Sequence, residues 1–459
     1  MRVLFATAEL APLVKVGGLA DFSAGLTRTL RSRGLEVDIV LPDYGFAPFQ
    51  LEDETALDVS EWATPAVLRR GLLWGVPVSL VSVPGMARPN PYLDADGVAW
   101  EDNDQRFFGF SIAVAAWTAA SDPDVLHLND WHTAAVLGFM SEPPPSLLAI
   151  HNLAYQGNSA ISWLDRFHRQ AEVFGVRGET NPLAGGIALA DQVVTVSPTF
   201  ATESLPPNEG FGLARHLEAK GAAFSGILNG IDTEVWDPAV DPHLPHHYEV
   251  GSIEGKVQVR DRLIEEMGWD EMRGPVIGMV TRLTDQKGVD LALGVVPDLA
   301  QLGARMMMLG SGDRKLADDA KAAETRFPGV FKFVEGYDDR LAHRIFGGAD
   351  LYLMPSRFEP AGLTQMQAMR YGTIPVVSDV GGLHDSVVDA DIDPVRGTGF
   401  VAARIDVDNL RETLFRAVRA WNQPARRVAI MERGMSIDWS WDAPASEYVA
   451  LYERLMSVR

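Results

Sequence analysis

The chain has 459 residues, 47% hydrophobic and 22% charged, with 62 acidic against 40 basic side chains and a formal charge of −22. That length exceeds one ordinary hydrophobic core, so two or three domains are expected. The acidic surplus disfavours general binding to nucleic acid or to an anionic membrane, and the absence of cysteine excludes disulfides and thiolate metal sites.

No apolar run approaches the roughly 20 residues that a membrane span needs. The N-terminus enters a strand directly, with neither a basic region nor a cleavage site, which points to a cytoplasmic protein. In so acidic a chain an anion site must be a local basic exception, built from few residues where strands end.

In chain order, "RVLFATAE" (2–9) reads as a buried strand. In "VKVGGLADFSAGL" (14–26), Leu19, Phe22, Leu26 and, beyond it, Leu30 recur at helical spacing. Lys15, Gly17 and Gly18 therefore occupy a strand-to-helix turn, where glycines leave backbone N–H groups uncovered and a helix start attracts anions. A packing turn with a solvated lysine fits equally well, because the segment matches neither G-x-G-x-x-G nor a P-loop.

Further runs are "VDIVLP", "VSLVSV", "DVLHLND", "SLLAIHN" and "QVVTVS", then "PVIGMVT", "RMMMLG", "FKFVEG", "LYLMPS" and "IPVVSD". Most are continuous rather than alternating, as in parallel strands buried on both faces. Helical patterns such as "LADFSAGLTRTLRSRG" and "GVDLALGVVPDLAQLG" lie between them. This alternation predicts a doubly wound α/β architecture in two successive units. The break is expected in 232–251, rich in Pro, Asp and His; "SEPPP" (141–145) reads as a helix-to-strand loop, and 84–106 as a long excursion near the ligand side.

Ligands of open parallel sheets bind beyond the carboxyl ends of the strands. There "HLNDWH" places Asn129, Asp130 and His132, and "IHNLAYQG" places His151 and Asn152. Buried hydrogen-bonded side chains or a sugar or phosphate site both fit; a metal site at these histidines does not, for want of an i, i+4 His/carboxylate pair. "VTRLTDQKG" sets Arg282 and Lys287 in one loop before a helix starting near Gly288, a fork and a point charge suited to a diphosphate or, singly, solvated charges. In "MPSRFEPAGLTQMQAMRYG", Glu359 precedes Pro360, and Gly362, Leu363 and Thr364 open a helix. A carboxylate beside a helix start can bond sugar hydroxyls while N–H groups hold phosphate, or can simply cap the helix.

Together "KVGGLAD", "HLNDWHTA", "IHNLAYQG", "GILNGIDTEVWDP", "TRLTDQKG", "EGYDD" and "SRFEPAGLTQMQAMRYG" resemble bacterial glycogen synthases and plant starch synthases, in family order and from residue 1 to about 440. The resemblance implies the GT-B fold, an α/β pair of Rossmann-like domains facing across a cleft. The domains expected are 1–240, rejoined by a crossing-back helix at 438–459, and 241–437. It implies metal-independent transfer of glucose from ADP-glucose to the non-reducing end of an α-1,4-glucan with retention, needing no cofactor, nucleic acid or membrane.

By position, the resemblance puts Lys15, Gly17 and Gly18 on the donor's phosphate and sugar side, and Asp130 and His151 near the glucose. Arg282 and Lys287 clamp the diphosphate, Glu359 faces the transferred glucose, and Gly362, Leu363 and Thr364 add phosphate contacts. Tyr337 becomes a candidate for adenine stacking, and Asn229 and Tyr92 for sugar contacts. The chain departs from the family at Val16, usually Thr, and at Ala361, often Cys. Rival readings are a retaining GT-B transferase with a small-sugar acceptor and an inactive glucan-binding homologue.

Overall fold

The alternating runs build two separate sheets in a computed structural model that describes residues 1–45, 49–94, 97–270 and 274–457. The chain divides into two units, Met1–Gly230 with Trp441–Arg459, and Ile231–Ser440.

The first unit holds strands β1 (Arg2–Ala6), β2 (Glu36–Pro42), β3 (Phe49–Ala56), β4 (Val67–Leu73), β5 (Val76–Ser82), β6 (Val125–Asn129), β7 (Ser146–Ile150), β8 (Gly175–Val176), β9 (Glu179–Thr180), β10 (Gln192–Thr195) and β11 (Phe224–Gly226). The main sheet runs β11-β10-β7-β6-β1-β2-β5-β4-β3, and β8 with β9 forms a separate hairpin. From β11 to β5 the pairing is parallel; β5-β4-β3 is antiparallel. The antiparallel edge escapes the pattern reading because β3 (FQLEDETA) is charged and largely exposed, and β4 (VLRRGLL) alternates. Ala6 pairs with Leu128, and Leu128 with Leu148, so the carboxyl ends of β1, β6 and β7 lie level.

Leu19, Phe22, Leu26 and Leu30 form the buried stripe of helix Gly18–Ser32. The last helix, Asp442–Ser457, packs in this same unit. Gly25 makes room for it: a Cβ there would lie 1.9 Å from the Trp441 indole nitrogen. His127 Nδ1 meets Tyr452 Oη at 2.6 Å, and Arg33 donates to Ser446 Oγ at 2.7 Å.

The second unit holds β12 (Val276–Leu283), β13 (Arg305–Gly312), β14 (Phe331–Glu335), β15 (Leu351–Met354), β16 (Ile374–Ser378) and β17 (Phe400–Ala402), all parallel in the order β14-β13-β12-β15-β16-β17. That is the doubly wound order, with its reversal between β12 and β15. Residues 231–240 belong to this unit rather than to the first. Trp236 stacks on His343 at 4.0 Å, and Asp237 pairs with Arg370 at 2.9 Å. The break therefore lies before the segment 232–251, not at 240.

The segment 141–145 is the loop before β7. The described residues of 84–102 carry no helix or strand, residues 95 and 96 lying outside them, and 103–106 already belong to helix Asn103–Ser121. Among the described residues no helix is long and apolar enough to cross a membrane.

Candidate functional site

In the first unit the order reverses at β1, with β6 on one side and β2 on the other. The loops leaving β1, β6 and β7 carry Glu9, Asp130 and His151.

Glu9 is buried, and its carboxylate organises the glycine turn. Oε2 accepts the N–H groups of Val16 and Gly17, each at 2.8 Å, and Oε1 accepts Tyr92 Oη at 2.8 Å. Two N–H groups of the turn are thus satisfied by the protein itself. Lys15 pairs with Asp21 in the first turn of the helix at 2.8 Å. Gly17 has φ −149°, and a Cβ on it meets nothing within 4 Å. Neither packing nor backbone demands glycine there; the position is open for close approach from outside.

Asp130 has φ +53° and ψ −173°, a conformation that costs a non-glycine residue of order 1–3 kcal/mol and that tends to cluster at functional sites. Its Oδ1 accepts the His151 N–H at 2.7 Å. Burial raises its carboxyl from 3.8 to about 7 against the backbone N–H bonds of His151 and Asn152. Burial lowers His151 to about 3, so the ring is neutral near pH 7.

Its tautomer follows from the neighbours. Asn129 Nδ2 donates to Ala6 O at 2.9 Å, which turns Oδ1 toward His151 Nε2 at 3.0 Å. Nε2 therefore carries the proton, and Nδ1 keeps a lone pair for a hydroxyl. Asn229 is buried, and among the described residues its Oδ1 has no hydrogen-bond partner, leaving an acceptor for a donor. A cavity of about 460 Å³ in this unit is lined by Trp131, Tyr155, Asn158, Arg177 and Phe211 among others.

In the second unit the reversal between β12 and β15 brings two loops together. Lys287 Nζ reaches Glu359 Oε2 at 2.6 Å, and Ser356 Oγ donates to the same oxygen at 2.9 Å. Gln286 O accepts the Arg357 N–H at 2.8 Å, and Arg357 forks onto Asp290 at 2.8 and 2.7 Å. Gly288, at φ +62°, is required by contact, since a Cβ would lie 2.0 Å from Pro355 O.

Arg282 is not in that loop. It is a residue of β12, paired with Ser311, exposed and without an ion-pair partner among the described residues. Thr364 begins helix Thr364–Arg370, and Gly362 and Leu363 precede it; Thr364 Oγ1 lies 3.2 Å from Met354 Sδ. Tyr337 is 71% exposed after β14, with its hydroxyl 2.9 Å from Asp339 Oδ1.

The structure thus groups Lys15, Gly17, Gly18, Tyr92, Asp130, Asn229 and His151 in one unit, and Arg282, Lys287, Tyr337, Glu359, Gly362, Leu363 and Thr364 in the other. Pattern reading missed Glu9, Trp131, Tyr155 and Phe211. Glu9 was accessible to the strand-end rule, three residues past β1 at the end of "RVLFATAE". The aromatic residues sit in loops without periodicity and had no such signal.

Residues 2–219 match the family model for the starch synthase catalytic domain, and 260–430 that for glycosyl transferases group 1. The chain is 41% identical to the glycogen synthase of Halorhodospira halophila over 477 residues, covering 100% of both chains. The chain belongs to the glycogen synthase family. It is also 41% identical to the glycogen synthase of Alkalilimnicola ehrlichii, over 98% of each chain. The catalytic domain of starch synthase IV from Arabidopsis thaliana, solved bound to ADP and acarbose, matches with a TM-score of 0.89 and 32% identity over 99% of each chain. A sucrose-phosphate synthase from Thermosynechococcus elongatus, 18% identical with a TM-score of 0.63 over 100% of each chain, shares the fold. The fold is of the GT-B type and the chain is a glycosyltransferase of the glycogen and starch synthase kind.

Proposed function

We propose that the chain transfers glucose from ADP-glucose to the non-reducing end of an α-1,4-glucan with retention of configuration. The observation that carries the reading is the Lys287–Glu359 pair, 2.6 Å apart at the strand reversal of the second sheet, where doubly wound folds bind ligands. The starch synthase IV domain binds ADP and acarbose, which supports both the donor and the glucan acceptor.

On this reading Lys287 and Arg282 face the diphosphate and Glu359 faces the glucose. The C1–O bond to ADP breaks first, and its electron pair passes to the diphosphate. Arg282 and Lys287 stabilise that charge, the role a metal fills in other transferases. Positive character grows at C1, opposite the Glu359 carboxylate. The acceptor 4-hydroxyl then bonds to C1 on the face that ADP leaves, and its proton passes to the leaving phosphate oxygen. Asp130 and the neutral His151 position the glucose, with Nδ1 accepting from a sugar hydroxyl. Lys15, released from Asp21, adds a cation to the phosphates, and Gly17 and Gly18 admit them closely. The exposed faces of Tyr155 and Phe211, beside Trp131, suit stacking on glucan rings.

The test incubates radiolabelled ADP-glucose and UDP-glucose separately with glycogen, glucose 6-phosphate and fructose. Label entering glycogen from ADP-glucose is expected. Label entering a small sugar instead would replace the acceptor, and glycogen binding with no turnover of either donor would remove the enzyme reading. A covalent glucosyl adduct on Glu359, trapped with a fluorinated donor, would overturn the same-face mechanism.

A further inference from the structure

A better set of metal donors than His132 and His151 lies in the second unit. Asp339 and His343 stand at i, i+4 on helix Asp339–Gly348, hence on one face. The ligand atoms of His243, Asp339 and His343 all lie within 4.8 Å of one another. We propose that these three side chains bind a single transition-metal ion, Zn²⁺ by preference.

A buried carboxylate holds one of these histidines by its ring and the other by its backbone. Asp241 Oδ2 bonds His343 Nδ1 at 2.7 Å, and Asp241 Oδ1 accepts the backbone N–H of His243 at 2.8 Å. Tyr371 Oη donates to the same Asp241 carboxylate. The Asp241 carboxylate engages Nδ1 of His343 and leaves Nε2 as the nitrogen able to ligate. Carboxylate–histidine pairs of this kind fix the tautomer and orientation of metal-ligating imidazoles. The His343 ring is further locked by Trp236, stacked at 4.0 Å and 12°.

Asp339 contributes from the exposed end of the helix. One of its oxygens meets Tyr337 Oη at 2.9 Å, and a carboxylate has a second to offer. A core histidine satisfied by a carboxylate accounts for Asp241 and His343 alone. It does not account for the convergence of a second imidazole and a surface carboxylate on them. Two imidazoles and one carboxylate suit Zn²⁺, Co²⁺ or Ni²⁺ rather than Mg²⁺ or Ca²⁺, and three protein ligands leave a position for water. An ion there would tie the segment before β12 to the helix before β15, favouring the folded second unit by linkage.

The full-length protein, stripped with chelator and dialysed, is titrated with Zn²⁺ by calorimetry and melted with and without the ion. One Zn²⁺ per chain and a raised melting temperature are expected, and Co²⁺ should give the visible d–d bands of a four-coordinate site. His243→Ala keeps the backbone N–H that Asp241 holds, and Asp339→Asn changes an exposed residue, so both should fold as the parent does. Each should weaken Zn²⁺ by at least about tenfold and abolish the melting shift. His246→Ala, at an exposed neighbour, should leave both unchanged. The proposal is overturned by no stoichiometric Zn²⁺ on the parent, by parent-like affinity in both ligand variants, or by equal weakening in His246→Ala.

Discussion

Replacing Asp130 by asparagine tests the strained strand end most directly. Burial raises its carboxyl from 3.8 to about 7. A group whose folded value is raised stabilises the fold below its unfolded value and loses that contribution as pH rises through the folded one. At 1.36 kcal/mol per pH unit, the raised carboxyl of Asp130, which ionises more readily in the unfolded chain, costs the fold about 1.5 kcal/mol at pH 5 and about 4 kcal/mol at pH 8. Asparagine is exempt from that cost. It tolerates positive φ and keeps an oxygen for the His151 N–H. The stability gain of Asp130→Asn should therefore widen by about 2–3 kcal/mol between pH 5 and pH 8. For a unit of this size that is about 5–10 °C in melting temperature. At pH 8, where the parent carboxylate is charged, transfer should also fall about 100-fold, since the charge beside the glucose is gone. The assay is thermal melting of parent and variant at both pH values, with glucose incorporation into glycogen. A melting difference that is the same at pH 5 and pH 8 would refute the reasoning.

Lys287→Ala should lose about 3 kcal/mol of transition-state stabilisation, about two decades in kcat; a loss below about threefold would remove Lys287 from the diphosphate clamp. Glu9→Ala should free the Val16 and Gly17 N–H groups and Tyr92 Oη, lowering kcat/KM by about 1–3 kcal/mol, or roughly 10–100-fold, with Glu9→Gln recovering most of it. A variant that melts lower yet transfers normally would reduce Glu9 to a structural role. Burial lowers His127 well below its usual value, and His132 and His151 to about 3, so all three fold neutral. The unfolded chain takes up their protons below about pH 6.5, and Asp130 offsets one of the three. Urea melts should then show stability falling by about 2.7 kcal/mol per pH unit near pH 5; a flat profile from pH 6 to pH 5 would contradict the burial account.

The local pattern by itself determined the skeleton. Continuous apolar runs such as "SLLAIHN" and "LYLMPS" became central parallel strands, because a strand buried on both faces admits few polar side chains. The 3.6-residue stripe of Leu19, Phe22, Leu26 and Leu30 became a buried helix face. Polar residues at strand ends then marked Asp130, His151 and Glu359.

Only the tertiary structure decided how those residues behave. The turn at Lys15 read equally as an anion cradle or as a packing turn, and two of its N–H groups go to Glu9 through a loop closure that no local period encodes. Lys287 and Glu359 lie 72 residues apart in sequence, and their contact depends on the strand order. The raised carboxyl of Asp130 and the neutrality of His151 come from desolvation, which sums over every segment packed around them. The antiparallel edge strands β3 and β4 followed from pairing rather than composition, since β3 is charged and exposed and β4 alternates, leaving no continuous apolar run to read.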